Sequence, residues 1–221
     1  MARTIEMAPS VLSADFVHLA RDIEKVERAG ADVIHLDIMD GHFVPNISMG
    51  PFIVEFCRQI TPVTLDVHLM IEQPERHIKA FSNAGADLLT IHPEGHPNVM
   101  RTLQEIKDLG CKAGLALNPG TSELVVHPLI ELLDLILILT VNPGFSGQAF
   151  MPQVKYKIVE VRKLIDACRP GIELEVDGGI HHANIHEVLE LGASVIVSAS
   201  AIFKNPAGIS ESITLLKEAA R

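Results

Sequence analysis

His35 and Asp37 stand two residues apart in the apolar run Val33-Ile34-His35-Leu36-Asp37-Ile38-Met39, which ends in the turn signal Asp40-Gly41. In a strand, residues two apart project to one face. His35 and Asp37 therefore point together with Val33, while Ile34, Leu36 and Ile38 face the other way. Burying an unpaired carboxylate is costly, and a metal ion is the least costly way to satisfy an imidazole and a carboxylate in one space. A second run, Asp66-Val67-His68-Leu69-Met70, repeats the spacing, and Asp177 closes a third, Glu173-Leu174-Glu175-Val176-Asp177. His35, Asp37, His68 and Asp177 make a mixed nitrogen and oxygen donor set. Such a set suits one divalent ion of zinc, iron, manganese or cobalt better than magnesium or calcium. The plainer alternative makes the histidines hydrogen-bonded core residues and the aspartates caps; four such groups at strand ends favour the metal.

Asp37 and Asp177 have a second use. Carboxylates approaching a substrate from opposite sides can act as general base and general acid, and a metal between them stabilises an enediolate oxygen. This suits proton abstraction beside a carbonyl and proton return on the other face. Glycosidases also pair carboxylates, but they need no histidine-rich cluster. Asp66, two before His68, is placed to orient a metal ligand from behind, and His92 and Glu94 of His92-Pro93-Glu94 could face substrate. Seven other histidines, 42, 77, 96, 127, 181, 182 and 186, share no spacing and read as solvent-facing.

Small residues gather later in the chain, in Asn142-Pro143-Gly144-Phe145-Ser146-Gly147, Asp177-Gly178-Gly179 and Ser198-Ala199-Ser200. Small residues let backbone N–H groups approach an anion. None of the three stretches carries Lys or Arg, so backbone dipoles would do most of the holding; Lys204 is the nearest cation in sequence. Met39 and Met70 follow two of the strands and can cover reacting carbons with soft, dry surface.

The elements that must position these residues alternate along the chain. Strand-like runs fall at 5–8, 33–37, 63–69, 88–92, 113–117, 135–140, 173–177 and 194–198, and helical patterns at 15–29, 51–59, 74–83, 98–109, 122–133, 152–168, 184–191 and 207–220. Near-continuous apolar strands suit a parallel sheet covered on both sides. In 15–29, Phe16, Leu19, Ala20, Ile23 and Val26 share a face opposite Asp22, Glu24, Lys25 and Glu27. Three echoes, Ala29-Gly30-Ala31-Asp32, Ala84-Gly85-Ala86-Asp87 and Leu191-Gly192-Ala193-Ser194, each close a helix and open a strand. Eight strand–helix pairs with no linker between halves predict a single α/β domain over residues 1–221, a (β/α)8 TIM barrel. A doubly wound open sheet would call for a dinucleotide fingerprint, and no G-x-G-x-x-G occurs. In such barrels the chemistry sits at the C-terminal strand ends, with phosphate commonly held after strands seven and eight.

Composition narrows the partners. A formal net charge of −10, one tyrosine, no tryptophan and no basic run argue against nucleic acid and anionic membranes. Cys57, Cys111 and Cys168 lack metal or redox spacing and read as reduced thiols. No leader is read at Met1-Ala-Arg-Thr, and the apolar run 135–141 is shorter than the roughly 20 residues a membrane span needs. These features predict a soluble, cytoplasmic protein.

Over essentially its whole length the chain resembles the ribulose-phosphate 3-epimerase family. The resemblance rests on Ala8-Pro9-Ser10-Val11-Leu12-Ser13-Ala14-Asp15, on His35-Leu36-Asp37-Ile38-Met39-Asp40-Gly41 followed by Phe43-Val44-Pro45-Asn46, and on Asp66-Val67-His68-Leu69-Met70. Asn142-Pro143-Gly144-Phe145 and Glu175-Val176-Asp177-Gly178-Gly179 complete it. It implies one divalent metal held by His35, Asp37, His68 and Asp177. Asp37 would take the C3 proton of a ketopentose 5-phosphate and Asp177 return one to the opposite face, converting D-ribulose 5-phosphate into D-xylulose 5-phosphate. Ser10 and His68 would contact substrate, and Gly144, Phe145, Ser146, Gly147, Gly178, Gly179, Ala199 and Ser200 would hold the phosphate. A homo-oligomer, dimer or hexamer, is expected. Three positions depart from the family's usual pattern: Ser146 and Ala199 replace glycines, and Leu139 replaces a third methionine beside Met39 and Met70. Ser146 and Ala199 keep their N–H groups for phosphate where φ is negative; at positive φ a side chain costs roughly 1 kcal/mol or more. Rival readings are a 3-epimerase of another ketose phosphate such as D-allulose 6-phosphate, a non-catalytic sugar-phosphate binder, and a metal-dependent lyase or aldolase, for which no strand-end lysine is seen.

Overall fold

A computed structural model describes residues 4–220. Residues 1–3, on which part of the leader reading rests, and the last residue of the expected domain lie outside the described residues. Eight parallel strands form one sheet: β1 (Glu6–Pro9), β2 (Val33–Met39), β3 (Thr64–Met70), β4 (Leu88–Ile91), β5 (Lys112–Leu117), β6 (Leu135–Leu139), β7 (Glu173–Asp177) and β8 (Val195–Ser198). Their order is β1-β8-β7-β6-β5-β4-β3-β2. The two ends meet at a bridge between Ser10 and His35, and the Asp32 N–H donates to the Met7 carbonyl at 3.0 Å. The Asp32 carboxylate accepts the Met7 N–H at 2.9 Å. The sheet thus closes into a barrel.

Eight helices cover it: α1 (Leu19–Arg28), α2 (Pro51–Ile60), α3 (Ile78–Asn83), α4 (Val99–Asp108), α5 (Lys155–Cys168), α6 (Ile185–Glu190), α7 (Ser200–Phe203) and α8 (Ile209–Ala219). Ile34, Leu36 and Ile38 face outward into the core shared with the helices, beside Ile23, Val26 and Val54, while Val33 faces inward with Ala8, Val195 and Val197. Each large aliphatic side chain so buried contributes roughly 1.5–3 kcal/mol. The strand pleat therefore sorts β2 as its period of two requires, leaving His35 and Asp37 on the barrel's inner side.

Some local readings are corrected. The stretch 122–133 is a 3-10 helix, Glu123–Leu132, rather than an α-helix; Pro128 inside it has no N–H to donate and its ring crowds the preceding turn. The stretch 74–83 breaks into a 3-10 turn, Pro74–Arg76, before α3. Asp22, expected on the polar face of α1, is buried and accepts the Asp15 N–H at 3.2 Å, while Phe16, expected on the apolar face, sits exposed in the 3-10 turn Phe16–His18 before the helix. The four-residue α7 is too short to carry a period. The three cysteines are free, with Cys57 and Cys111 buried. Among the described residues no helix is long and apolar enough to cross a membrane.

Candidate active site

Strands β2 and β3 run side by side with His35 opposite Asp66 and Asp37 opposite His68. This register puts four polar side chains inside the barrel, every one of them buried. Asp37 is the hub. Its Oδ2 accepts the Ser10 hydroxyl at 2.6 Å, across the seam between β1 and β2. Its Oδ1 lies 3.1 Å from His68 Nδ1 and 3.3 Å from His35 Nε2. On its far side, His35 meets Asp66 through Nδ1 at 2.6 Å, so Asp66 stands behind the ring. Asp177 arrives from the end of β7, and one donor atom from each of His35, Asp37, His68 and Asp177 lies within 4.8 Å of the others.

The donor chemistry fits a divalent cation. His35 Nε2 is fully buried and makes no hydrogen bond, and such an orphan costs about 1–3 kcal/mol. It points into a cluster where a cation would be its partner. His35, Asp66 and Glu175 also approach one another, but there His35 offers Nδ1, which Asp66 already holds.

Proton affinities divide the site. Burial would raise the Asp37 carboxyl, but the neighbouring His35 and His68 rings outweigh it and hold Asp37 well below the usual carboxylate range. Burial and then the Asp37 charge push Asp177 up to about 7. Burial lowers the His68 imidazole to about 4. His35 goes the other way: burial pulls it down, but the Asp66 and Asp37 carboxylates more than compensate and raise it well above its usual value. Glu175, beneath them, is pushed up by burial and by the neighbouring Asp66 charge. Two carboxyl groups with separated proton affinities are what acid and base roles need.

Above the cluster opens a cavity of about 490 Å³. Asp37 and Asp177 lie on its wall with Met39, Met70 and Leu139; the expected phosphate loops contribute Gly144, Phe145, Ser146, Gly147, Gly178, Gly179, Ala199 and Ser200. Ser10, His35 and His68 are fully buried. The loop after β6 is tied down from two sides, by Ser13 Oγ donating to Ser146 Oγ at 3.0 Å and by Asn46 Nδ2 donating to the Gly144 carbonyl at 2.7 Å. Among the described residues Gln73 is the one non-glycine with positive φ, so Ser146 takes an ordinary backbone, and Ala199 has φ −107°. Both replacements of glycine are therefore free of the positive-φ penalty. Gly179 is different: at φ +67° a Cβ would stand 2.4 Å from the Phe150 backbone nitrogen.

Three features went unread in the sequence. Gln148 lines the cavity and braces its loop through the Asn142 and Phe145 carbonyls at 2.6 and 2.9 Å. His181, though exposed as expected, also borders the cavity. His96, expected at the surface, is buried, with Nε2 2.6 Å from Thr102 Oγ1. The only advance signal was that Gln148 and His181 closely follow glycine-rich loops. His92 does not line the cavity; it is buried, with Nε2 2.8 Å from His68 Nε2.

Fold and site together define a (β/α)8 barrel with a metal-competent cluster of two imidazoles and two carboxylates at its mouth. Solved structures share that fold: 3-hexulose-6-phosphate synthase from Salmonella typhimurium aligns with TM-score 0.74 at 16% identity, covering 98% of each chain. KGPDC from Streptococcus mutans aligns with TM-score 0.74 at 12% identity, covering 99% of this chain and 98% of its own. The ribulose-phosphate 3 epimerase family profile matches residues 6–203. The ribulose-phosphate 3-epimerase of Bacillus subtilis is 50% identical over 200 residues, 90% of this chain and 92% of its own length. That of Escherichia coli K12 is 47% identical over 201 residues, 90% and 89% of the two lengths. The chain belongs to the ribulose-phosphate 3-epimerase family, a family of isomerases.

Proposed function

We propose that this chain is a metal-dependent epimerase that interconverts D-ribulose 5-phosphate and D-xylulose 5-phosphate at C3, in the pentose phosphate pathway. The observation that carries the reading is the pairing of Asp37 and Asp177 on one cavity, the first held ionised and the second holding a proton up to about pH 7. Asp37 removes the C3 proton, which the C2 carbonyl beside it acidifies, and leaves an enediolate; Asp177 delivers a proton to the opposite face. The reverse reaction exchanges the two roles. Ser10 fixes the Asp37 carboxylate so that one oxygen is engaged and the other is turned to the cluster. His35, Asp37, His68 and Asp177 would hold one divalent ion per subunit, zinc, iron, manganese or cobalt, and its positive charge would stabilise negative charge developing on the substrate oxygens.

Ser10 and His68, fully buried and off the cavity wall, reach the sugar in this reading through Asp37, which they flank. Met39, Met70 and Leu139 exclude water from the reacting carbons. The phosphate rests on backbone N–H groups of Gly144, Phe145, Ser146, Gly147, Gly178 and Gly179 and on Ala199-Ser200, where α7 begins, as in other barrels with a short extra helix after β8. The ordinary φ of Ser146 and Ala199 supports it. The protein acts as a single catalytic domain in the cytoplasm, as a dimer or hexamer. Exposed apolar side chains on and just before the neighbouring helices α1 and α2, among them Val17, Ile47 and Phe52, support self-association.

The test is proton exchange in heavy water. Ribulose 5-phosphate should lose its C3 proton signal with turnover, and allulose 6-phosphate should lose it far more slowly. Asp37→Asn and Asp177→Asn should each lower turnover by about a hundredfold to ten-thousandfold in a folded protein, as removal of a general acid or base does. Undiminished turnover in either variant would sink the two-carboxylate reading, and faster exchange on the hexulose phosphate would move the substrate.

A further inference from the structure

His92 plays no part in the reading above, yet it is buried against a proposed metal ligand. Its Nε2 lies 2.8 Å from His68 Nε2, and its Nδ1 lies 3.2 Å from Glu94 Oε2. The other Glu94 oxygen accepts the Asn118 N–H at 2.9 Å and the Thr121 hydroxyl. The Asn118 and Pro119 carbonyls are in turn held by the ammonium of Lys157, at 2.7 and 2.8 Å, a lysine fully buried on α5. Phe43 packs on the His92 ring, with centroids 4.7 Å apart. A continuous chain of contacts thus runs from inside the barrel, across the ends of β3 and β4, to an outer helix.

With both rings neutral the hydrogens have one consistent arrangement; with His92 as an imidazolium, His68 would instead accept at Nε2 and donate from Nδ1 to Asp37. An ionised carboxylate only accepts, so Glu94 requires the His92 hydrogen on Nδ1. Neutral His92 then offers a lone pair at Nε2, and His68 must donate to it from its own Nε2. That leaves His68 with a bare Nδ1 facing Asp37 Oδ1 at 3.1 Å. Two acceptors at that distance repel unless a positive charge lies between them.

We propose that His92, set by Glu94, is a positioning residue that holds His68 in its Nε2–H form, so that the Nδ1 lone pair is kept free for a cation. The inference rests on the metal-centre reading for its purpose, though not for its geometry. It also explains the residue types in His92-Pro93-Glu94: an acceptor-only side chain at 94 sets the direction in which the hydrogens run. Metal-bound histidines commonly donate their second ring N–H to such a partner, and losing that partner typically costs 10–100-fold in affinity.

Glu94→Gln separates this role from a merely structural one. The amide oxygen can still accept from Asn118 and Thr121, while its NH2 group donates to His92 Nδ1. The chain of hydrogens then reverses, His92 donates from Nε2, and His68 is left with its hydrogen on Nδ1. Nitrogen-15 NMR of the metal-free protein, with the His68 signals assigned by His68→Gln, should show protonated Nε2 in the wild type and protonated Nδ1 in Glu94→Gln. Competition between the protein and a chromophoric chelator for Zn²⁺ should show affinity falling at least tenfold in Glu94→Gln, with unchanged far-ultraviolet circular dichroism. His92→Phe should lose a similar amount, and His92→Gln, which can accept from His68 and donate to Glu94, should recover part of it. The proposal is overturned if His68 carries Nε2–H in both the wild type and Glu94→Gln, or if the wild type carries Nδ1–H. It is also overturned if His92→Phe folds and binds zinc as the wild type does. Failure of the metal-centre reading looks different: the wild type would bind no stoichiometric zinc, or His68→Gln would bind it undiminished, while the NMR contrast persisted.

Discussion

The carboxylate of Asp37 is held by the Ser10 hydroxyl and flanked by two imidazole rings, but Asp177 has charge for company and little else, and the two respond oppositely to the same cavity. One consequence is proton-coupled metal binding. Below about pH 7 Asp177 keeps its proton, and the Asp66 and Asp37 carboxylates favour a proton on His35 as well. A cation must displace these protons, so affinity should rise with pH, and calorimetry at pH 6 in buffers of different ionisation enthalpy should show release of about one to two protons. Uptake of protons, or affinity that is flat between pH 5 and 8, would contradict the donor set. The four donors were readable in the sequence because a period of two inside an apolar run leaves a charged side chain no harmless explanation. The Ser10 bond to Asp37 and the His92 contact with His68 were not, because each joins residues 24 or more positions apart and depends on how strands are staggered.

At the scale of the element, the loops of the proposed phosphate site would do the work that a lysine or arginine does elsewhere. The turn after β7 is the least tolerant of them. Gly178 and Gly179 both have positive φ, and a side chain at 179 would collide with backbone rather than with a movable side chain. Gly179→Ala should cost about 1 kcal/mol or more from φ alone and raise KM for substrate more than it lowers kcat. Chemical denaturation and steady-state kinetics together check this, and a variant with wild-type KM would remove this turn from the phosphate grip. By contrast Ser146→Gly and Ala199→Gly should relieve no positive-φ penalty, since neither position has one. Element types were legible wherever length and period were adequate, as in α1, α4 and α5. They failed at 122–133, where an apolar pattern at helical spacing ran through Pro128, and at α7, where four residues cannot display a pattern.

The whole molecule is a ring with one weak link. Seven of its eight strand junctions are ladders of three or more residue pairs, and the eighth, between β1 and β2, rests on the Ser10–His35 bridge and the exchange between Met7 and Asp32. Asp32→Ala leaves the Met7 N–H without its partner, which costs about 1–3 kcal/mol. It should appear as a lower denaturation midpoint and faster amide exchange at Met7 than elsewhere in the barrel. Ser10 and His35 sit on that same junction, so metal affinity should fall with it, whereas an equal loss of stability made at α4 should leave affinity alone. Eight alternating units made the barrel itself legible, but no local signal marks which junction is thinnest, because that is settled only when the ring closes.

The pairing of β2 with β3 has a meaning for the folding chain as well. A slip of one residue between these strands would turn apolar side chains inward and is opposed by burial. A slip of two would keep every face correct, so burial cannot forbid it. Moving one way, it would set Asp37 opposite Asp66, two like charges side by side; moving the other, it would set His35 opposite His68 and leave Asp37 against Met70. Only the native stagger places each histidine against an aspartate. The charges proposed to serve the reaction thus also work as an alignment mark, favouring the native stagger over slips that hydrophobicity would accept.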